Sequence, residues 1–310
     1  MKAVVAKNIS KSYLVNKLSV TALKDISFEV EQGELFGLVG PDGAGKTTLF
    51  RLLTTLLIPD QGSLTVNGFD TVKDLKEIRD ISGYMPGRFS LYQDLTVREN
   101  LEFFATIFNT SIEQNYELVK DIYSQIEPFN NRRAGKLSGG MKQKLALSCA
   151  LIHKPKILFL DEPTTGVDAV SRKEFWEMLR RLKEQGITIL VSTPYMDEAS
   201  LCDRVALIQE GEILALDKPE IINSRFGKNL WAISASEMIR LMHVLKDWSL
   251  VHSCYSFGEF YHVVFKDDAI TNTMIENYLQ LQNFEHLTVL PIKANIEDSF
   301  MALMNNKNDN

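Results

Sequence analysis

The chain has 310 residues, of which 45% are hydrophobic, and it carries a formal net charge of -6 at pH 7. This length suits two domains, and the composition is that of a globular protein able to bury a sizeable core. The acidic balance disfavours a general nucleic-acid binder, and three widely spaced cysteines without a CxxC pair disfavour a disulfide or zinc framework.

No uninterrupted apolar run approaches the roughly 18–20 residues that cross a bilayer. The first residues are too few and too charged to form the apolar part of a secretory signal. We therefore expect a cytoplasmic chain that reaches a membrane only through a separate partner.

The first part of the chain, to about residue 83, shows strand and turn signals around one helix. Residues 27–30 alternate as a strand does, and residues 35–39 and 63–66 predict two further strands. Residues 47–57 predict an apolar helix that Pro59 ends.

The middle of the chain changes from a helical region back to strand-helix alternation. Residues 86–154 are mostly helical by their apolar spacing. A strand over residues 157–160, a helix over 172–184 and a strand over 187–192 follow. This order predicts a parallel α/β fold with a helical insertion at about residues 87–155.

The pattern of predicted strands and helices changes again after about residue 219. Four strands are predicted over residues 230–233, 250–255, 261–265 and 286–290, with helices over 236–246 and 269–280. The order βαββαβ predicts a small ferredoxin-like α+β domain. We therefore divide the chain into domains 1–220 and 221–310, with a polar tail at residues 305–310.

A glycine-rich loop between the strand at 35–39 and the following helix carries the strongest chemical signal. Its residues are Gly40, Pro41, Asp42, Gly43, Ala44, Gly45, Lys46, Thr47 and Thr48, a complete GxxxxGK[ST] pattern. Such a loop lets backbone N–H groups converge on phosphate oxygens at a helix N-terminus. Lys46 would reach the outer phosphates, and the Thr47 hydroxyl would ligate Mg²⁺. The strand and helix around the loop disfavour a chance match.

A second signal is the apolar strand at residues 157–160, which ends in Asp161 and Glu162. Ligands bind at the carboxyl ends of strands in open α/β sheets. Asp161 would hold Mg²⁺, and Glu162 would polarise the attacking water as a general base. Alone, an apolar strand that ends in two carboxylates is usually structural, but the phosphate loop favours the catalytic interpretation.

The third signal is a second anion site at a helix N-terminus. It is formed by Leu137, Ser138, Gly139, Gly140 and Met141. With all three motifs the chain resembles an ABC-type ATPase over roughly residues 3–220. The resemblance implies ATP and Mg²⁺ as ligands, and it implies that Ser138, Gly139 and Gly140 close over ATP bound to the opposite subunit of a head-to-tail dimer. A plain helix cap is the alternative.

Further positions match the same family. Tyr13 stands where an aromatic residue stacks on adenine, although a lone Tyr near a strand end is often a core residue. Residues 166–168 match the loop that crosses the dimer interface. Residues 88–100, with Phe89, Leu91 and Tyr92, match the segment that contacts the membrane subunit, although the same side chains suit the core of the helical region.

The carboxy-terminal part resembles the accessory domain of bacterial exporters of the drug-resistance and ABC-2 branch. Residues 224–227 and residues 295–304 carry this resemblance, and both are less specific than the nucleotide motifs. The resemblance to this family as a whole implies a separate membrane permease and a second cassette, identical or different, as partners. It also implies a position at the inner face of the membrane through the permease.

Two residues depart from the family pattern. Gly87 stands where the family usually has a glutamine, and Pro194 stands where it usually has a histidine that touches the γ-phosphate. Losing one preorganised donor typically costs about 10²–10³ in rate, unless water or a neighbouring side chain substitutes.

We therefore predict a P-loop NTPase that hydrolyses ATP for an ABC-2-type exporter, with a weakened site of its own. The main alternative is a non-catalytic cassette that binds ATP and completes a partner's site. A soluble ABC protein acting on ribosomes or DNA is disfavoured by the acidic balance and the lack of a basic tract.

Overall fold

The computed structural model describes residues 1–87 and 91–308. The chain forms two compact units, Met1–Pro219 and Glu220–Asn310. Among the described helices, none combines the length and the apolar character that a bilayer crossing requires.

The first unit consists of two sheets and the helices that surround them. Its strands are β1 (Lys2–Val15), β2 (Leu18–Glu31), β3 (Leu35–Val39), β4 (Gln61–Val66), β5 (Phe69–Asp70), β6 (Ser82–Met85), β7 (Ile157–Asp161), β8 (Thr188–Thr193), β9 (Arg204–Gln209) and β10 (Glu212–Asp217). Its helices are α1 (Lys46–Leu53), α2 (Leu75–Ile81), α3 (Val97–Ile107), α4 (Ile112–Tyr123), α5 (Gly139–Leu151), α6 (Ala169–Glu184) and α7 (Met196–Ala199), with 3-10 turns at Glu127–Phe129 and Ala134–Lys136.

The first sheet is antiparallel and has the order β2-β1-β4-β5. β1 and β2 form a long hairpin whose tip is Asn16 and Lys17, with φ values of 50° and 67°. Two left-handed residues in a two-residue turn match the right-handed twist of the strands. The alternation at residues 27–30 therefore predicted only the end of a much longer strand.

The second sheet has the order β10-β9-β3-β8-β7-β6, and its strands are parallel except for β10. Every residue of β3 and β7 is buried, as is typical of strands covered on both faces. The predicted α/β fold is confirmed. Because parallel strands end at one edge, the segments that follow β3, β6, β7 and β8 meet there.

α1 packs on this sheet through an aromatic contact. Phe50 of α1 and Phe159 of β7 are fully buried, with ring centroids 6.1 Å apart at 79°. Burying one such side chain contributes about 1.5–3 kcal/mol. α1 ends at Leu53 rather than at residue 57, because Thr55 takes a left-handed φ of 61°.

The predicted helical insertion is formed by α3, α4 and α5, each of which begins at a hydroxyl side chain. Thr96 caps α3 in a reciprocal capping box with Glu99. Ser111 caps α4 and Ser138 caps α5 through the same bond to the third backbone N–H of the helix. Each cap typically stabilises its helix by about 0.5–2 kcal/mol.

The second unit has the predicted βαββαβ order. Its elements are α8 (Pro219–Ser224), β11 (Leu230–Ser234), α9 (Met238–Asp247), β12 (Val251–Phe257), β13 (Phe260–Phe265), α10 (Asn272–Leu281), β14 (Thr288–Ile292) and α11 (Ile296–Asn308). Its sheet is antiparallel in the order β12-β13-β11-β14, the ferredoxin-like arrangement. α11 continues to Asn308, so the polar residues from 305 onward belong in part to a helix rather than to a tail.

Candidate functional site

The phosphate loop follows β3 and turns directly into α1. Gly40 has backbone space for nothing larger than hydrogen, because a Cβ there would lie 2.1 Å from the carbonyl oxygen of Ile208. Gly45 has a φ of 105°, and a Cβ there would lie 2.5 Å from the carbonyl oxygen of Ala22. These two glycines let the loop pack closely against the neighbouring strand and hairpin at the start of α1.

The remaining loop residues divide between exposed and buried positions. Asp42 and Gly43 are exposed, whereas Ala44 is buried and its N–H donates to the carbonyl oxygen of Pro41 at 3.2 Å. Thr47 and Thr48 are half-buried in the first turn of α1. The structure thus places all the predicted phosphate-loop residues in the connection from β3 to the first turn of α1, at the carboxyl edge of the parallel sheet.

Lys46 is 3% exposed and has three oxygen partners. Its Nζ donates to the carbonyl oxygens of Gly40 at 2.8 Å and Pro41 at 3.0 Å. It also forms an ion pair with Glu162 Oε1 at 3.1 Å. The candidate phosphate-binding cation therefore lies against the candidate general base.

Asp161 and Glu162 are connected by a hydroxyl on the neighbouring strand. Ser192 Oγ donates to Asp161 Oδ1 at 2.6 Å and accepts the N–H of Glu162 at 2.9 Å. Asp161 is 2% exposed, and Glu162 has a left-handed φ of 50°. This bend at the end of β7 turns the Glu162 side chain toward Lys46 rather than along the strand. Ser192 has no functional signal in the sequence, because a lone serine in a strand belongs to no recognisable motif.

The position of Gly87 lies beside the Asp161 carboxylate. A Cβ built on Gly87 would be 3.1 Å from the Asp161 carbonyl oxygen and 3.8 Å from its Oδ2. The charge of Asp161 also acts on Tyr84 in β6: burial, and then that charge, raise the pKa of Tyr84 to about 12. Tyr84 therefore stays a neutral phenol at physiological pH.

Tyr13, near the end of β1, reaches the phosphate loop from the hairpin. Its Oη lies 3.3 Å from Thr48 Oγ1, and its side chain is half-buried. The ring therefore stands at the rim of the loop, where a base attached to loop-bound phosphates would have a face to stack on.

We expect Tyr13→Ala to weaken Mg-ATP binding about fivefold or more, since stacking of a base on an aromatic ring contributes about 1–3 kcal/mol. Tyr13→Phe is the matched control because it removes only the hydroxyl contact to Thr48. Titration calorimetry would measure both affinities. An equal loss in the two variants would show that the hydroxyl, and not the ring, supports binding.

The residues of the predicted second anion site lie on other elements. Ser138 accepts the N–H of Met141 at 3.3 Å as the cap of α5, and Ser138 and Gly139 are exposed. Gly140 lies against α6, since a Cβ there would be 2.8 Å from Ser171 Oγ. Asp168 caps α6, and hydrogen bonds from Ser171 hold the pKa of its carboxyl below the usual range. The second anion site therefore neighbours residues 166–168.

The segment predicted to contact a membrane subunit is described only from residue 91 onward, so Phe89 lies outside the described residues. Leu91 is 5% exposed and belongs to the core, which corrects its assignment to a contact surface. Tyr92 is 49% exposed and meets Phe103 edge-on at 4.6 Å. Asn100 holds the Tyr92 backbone through both its N–H and its carbonyl oxygen.

Comparisons with known proteins support the nucleotide interpretation of this edge of the sheet. A sequence profile described as ABC transporter matches residues 23–165. The probable multidrug ABC transporter ATP-binding protein YbhF of Escherichia coli is 47% identical over 203 residues, which are 65% of this chain and 35% of that protein. The chain thus spans about a third of that relative's length.

Two other relatives are matched over almost their whole length. The ABC transporter ATP-binding protein NatA of Bacillus subtilis is 38% identical over 74% of this chain and 96% of that protein. The Nod factor export ATP-binding protein I of Burkholderia orbicola is 36% identical over 96% of this chain and 95% of that protein.

Solved structures show the same fold. A dimeric ATP-binding cassette in a post-hydrolysis state with ADP and Pi superposes with a TM-score of 0.64 at 27% identity, over 69% of this chain and 98% of that one. The ATP-binding subunit of an ABC transporter superposes with a TM-score of 0.65 at 27% identity, over 73% of this chain and 93% of that one.

Proposed function

Because the chain belongs to the ABC transporter family and is an ATP-binding cassette of the ATPase type, we propose that it drives an ABC-2-type exporter. The observation that carries this proposal is the division of the anion sites. Lys46, Asp161 and Glu162 meet at one edge of the parallel sheet, whereas Ser138 and Gly139 are exposed at the start of α5. A second cassette would supply the missing half of each nucleotide site.

Binding of the nucleotide begins at the start of α1. Backbone N–H groups of the phosphate loop and Lys46 would hold the phosphates. Thr47 and Asp161 offer hydroxyl and carboxylate oxygens, the hard ligands that Mg²⁺ prefers, and Mg²⁺ would neutralise charge on the phosphates. Lys46 would then exchange Glu162 for the outer phosphates.

Hydrolysis would use the carboxylate that Lys46 releases. Freed from its ion pair at 3.1 Å, Glu162 would accept a proton from the attacking water. Closure of the dimer by the partner's second anion site would exclude solvent water, and product release would reopen it. ATP thereby shifts the population between closed and open dimers, and this shift would be relayed to the permease.

We propose that this chain's own site is weakened. Gly87 leaves the space beside Asp161 without a side chain, and Pro194 has neither a side-chain donor nor an N–H. The same two residues favour a second candidate function, a regulatory cassette that holds ATP and completes a partner's site. The exporter or regulatory role is decided by purifying the native complex, identifying its subunits and measuring hydrolysis of prebound ATP in a single turnover. Rapid turnover at both sites would overturn the weakening.

The permease is proposed to contact the surface at Tyr92. Tyr92→Asp should prevent recruitment to the permease while leaving ATP affinity unchanged, because a charge replaces an exposed aromatic ring that belongs to none of the predicted nucleotide motifs. Val72→Asp, at a residue 44% exposed, is the matched control. Co-purification with the permease would measure recruitment, and full recruitment of Tyr92→Asp would contradict this contact. A charge at buried Leu91 would instead unfold the region.

A further inference from the structure

A buried carboxylate in the first unit has no part in the site described so far. Glu198, on the single-turn helix α7, has a side chain that is 2% exposed. A buried charge is costly unless it is paired and hydrogen-bonded, so the partners of such a group define what it holds in place.

The Glu198 carboxylate joins its own segment to the end of β8, five positions earlier, and to two residues 26 and 34 positions earlier. Its Oε2 accepts from Thr193 Oγ1 at 2.5 Å and from Thr164 Oγ1 at 3.1 Å. Its Oε1 accepts from Arg172 Nε at 3.1 Å. Both threonines are fully buried, and the Arg172 guanidinium also lies over the ring of Tyr195 at 4.2 Å. The three donors therefore converge on one buried carboxylate, two of them from fully buried threonines and the third from the partly exposed Arg172.

Each of these partners lies within two positions of a candidate site residue or of a residue that packs against one. Thr164 is two positions after Glu162, and Thr193 directly follows Ser192, which holds both Asp161 and the Glu162 N–H. Arg172 follows Ser171, against which Gly140 packs. Glu198 thus connects the loop that carries the general base, the end of β8 and the start of α6.

The turn after β8 depends strongly on the hydrogen bond between Thr193 and Glu198, because of the residue that follows Thr193. Residue 194 is proline, which donates no hydrogen bond from its backbone or its side chain. Thr193 Oγ1 instead accepts the N–H of Tyr195 at 3.1 Å and donates to Glu198. The carboxylate therefore closes the turn after β8.

We propose that Glu198 is a positioning residue for ATP hydrolysis, and this inference rests on the proposed function. It sets the position of Glu162 in this chain's site and of residues 166–168, which would complete the partner's site. Its loss should therefore slow hydrolysis, whichever of the two nucleotide sites hydrolyses most of the ATP. Its carboxylate bonds to Thr164, Arg172 and Thr193, and none of these lies in the phosphate loop. The backbone carbonyl of Thr193 accepts the N–H of Gly40 at 3.2 Å, a bond that a substitution at Glu198 does not remove. Nucleotide affinity should therefore depend on Glu198 much less than kcat does.

The test compares Glu198→Gln with Glu34→Gln in the complete complex. Glu34 is also buried, and it is paired with Arg204 at 2.7 Å, so its amide variant removes a similar ion pair away from the site. We expect Glu198→Gln to lower kcat at least about tenfold, since misplacement of a reacting group by 1 Å costs up to about 10²-fold. The Kd for a fluorescent ATP analogue should change less than twofold.

A second pair of variants keeps the test decisive if Glu198→Gln does not fold. Thr164→Val removes one donor and should lower kcat severalfold, whereas Thr164→Ser keeps the hydroxyl and should retain most of the rate. Equal loss of Tm in Glu198→Gln and Glu34→Gln with unchanged kcat would overturn the positioning role alone. A wild-type complex that hydrolyses no ATP would overturn the proposed function together with it.

Discussion

Lys46→Ala is expected to lower the affinity for Mg-ATP by about 10–10²-fold, because a hydrogen bond to a charged group contributes about 1.5–3 kcal/mol. Lys46 is the buried cation at the start of α1, and its Nζ is held by Gly40, Pro41 and Glu162. Those contacts hold the ammonium group against the phosphate loop, where we propose that it binds the outer phosphates. Titration calorimetry on the folded variant would measure the loss.

Lys183→Ala is the control variant for the removal of one positive charge. Lys183 is paired with Asp203 at 2.6 Å, and its side chain is 34% exposed. Its removal should leave the affinity unchanged, since surface ion pairs contribute little and this one has no contact with the phosphate loop. An unchanged affinity in Lys46→Ala would contradict the assignment of the phosphate loop.

Ser138→Arg is expected to lower transport-coupled ATP hydrolysis more than Glu162→Gln does, provided that the partner cassette is a different chain. Ser138 is exposed and would close over the partner's nucleotide, whereas Glu162 would serve the site that we propose is weakened by Gly87 and Pro194. That site should turn over about 10²-fold more slowly if one lost donor dominates. Both variants would be measured in the reconstituted complex.

Arginine at residue 138 also removes a helix cap, and Ser111→Arg controls for that loss. Ser111 caps α4 through a bond of 3.3 Å, the same length as the Ser138 cap of α5. Ser111→Arg should therefore lower stability by a similar amount, about 0.5–2 kcal/mol, with little effect on the rate. If Glu162→Gln abolished ATP hydrolysis and Ser138→Arg hardly changed it, this chain's own site would be the one that hydrolyses most of the ATP. A homodimer would make both sites identical and would remove the asymmetry.

The sequence by itself determined the features that depend on neighbouring residues. The place of the glycine-rich loop between β3 and α1 was predicted correctly, because its glycines, Lys46 and the flanking strand and helix lie within one short segment. The two carboxylates at the end of β7 and the βαββαβ order of the second unit were predicted for the same reason, since alternation, helical spacing and turn signals are local patterns. The long strand β1 was missed because its residues alternate poorly.

Only the tertiary structure decided which distant residues meet. Leu91 and Tyr92 are neighbouring apolar residues in the sequence, but Leu91 is buried and Tyr92 is half exposed. Asn100 of α3 holds the Tyr92 backbone and so contributes to this difference. Ser192 became part of the site because β8 lies beside β7 in the parallel sheet. Glu198 gathers partners up to 34 positions away. Such contacts depend on strand order and packing. The local sequence pattern of one segment does not indicate which distant segment it will contact.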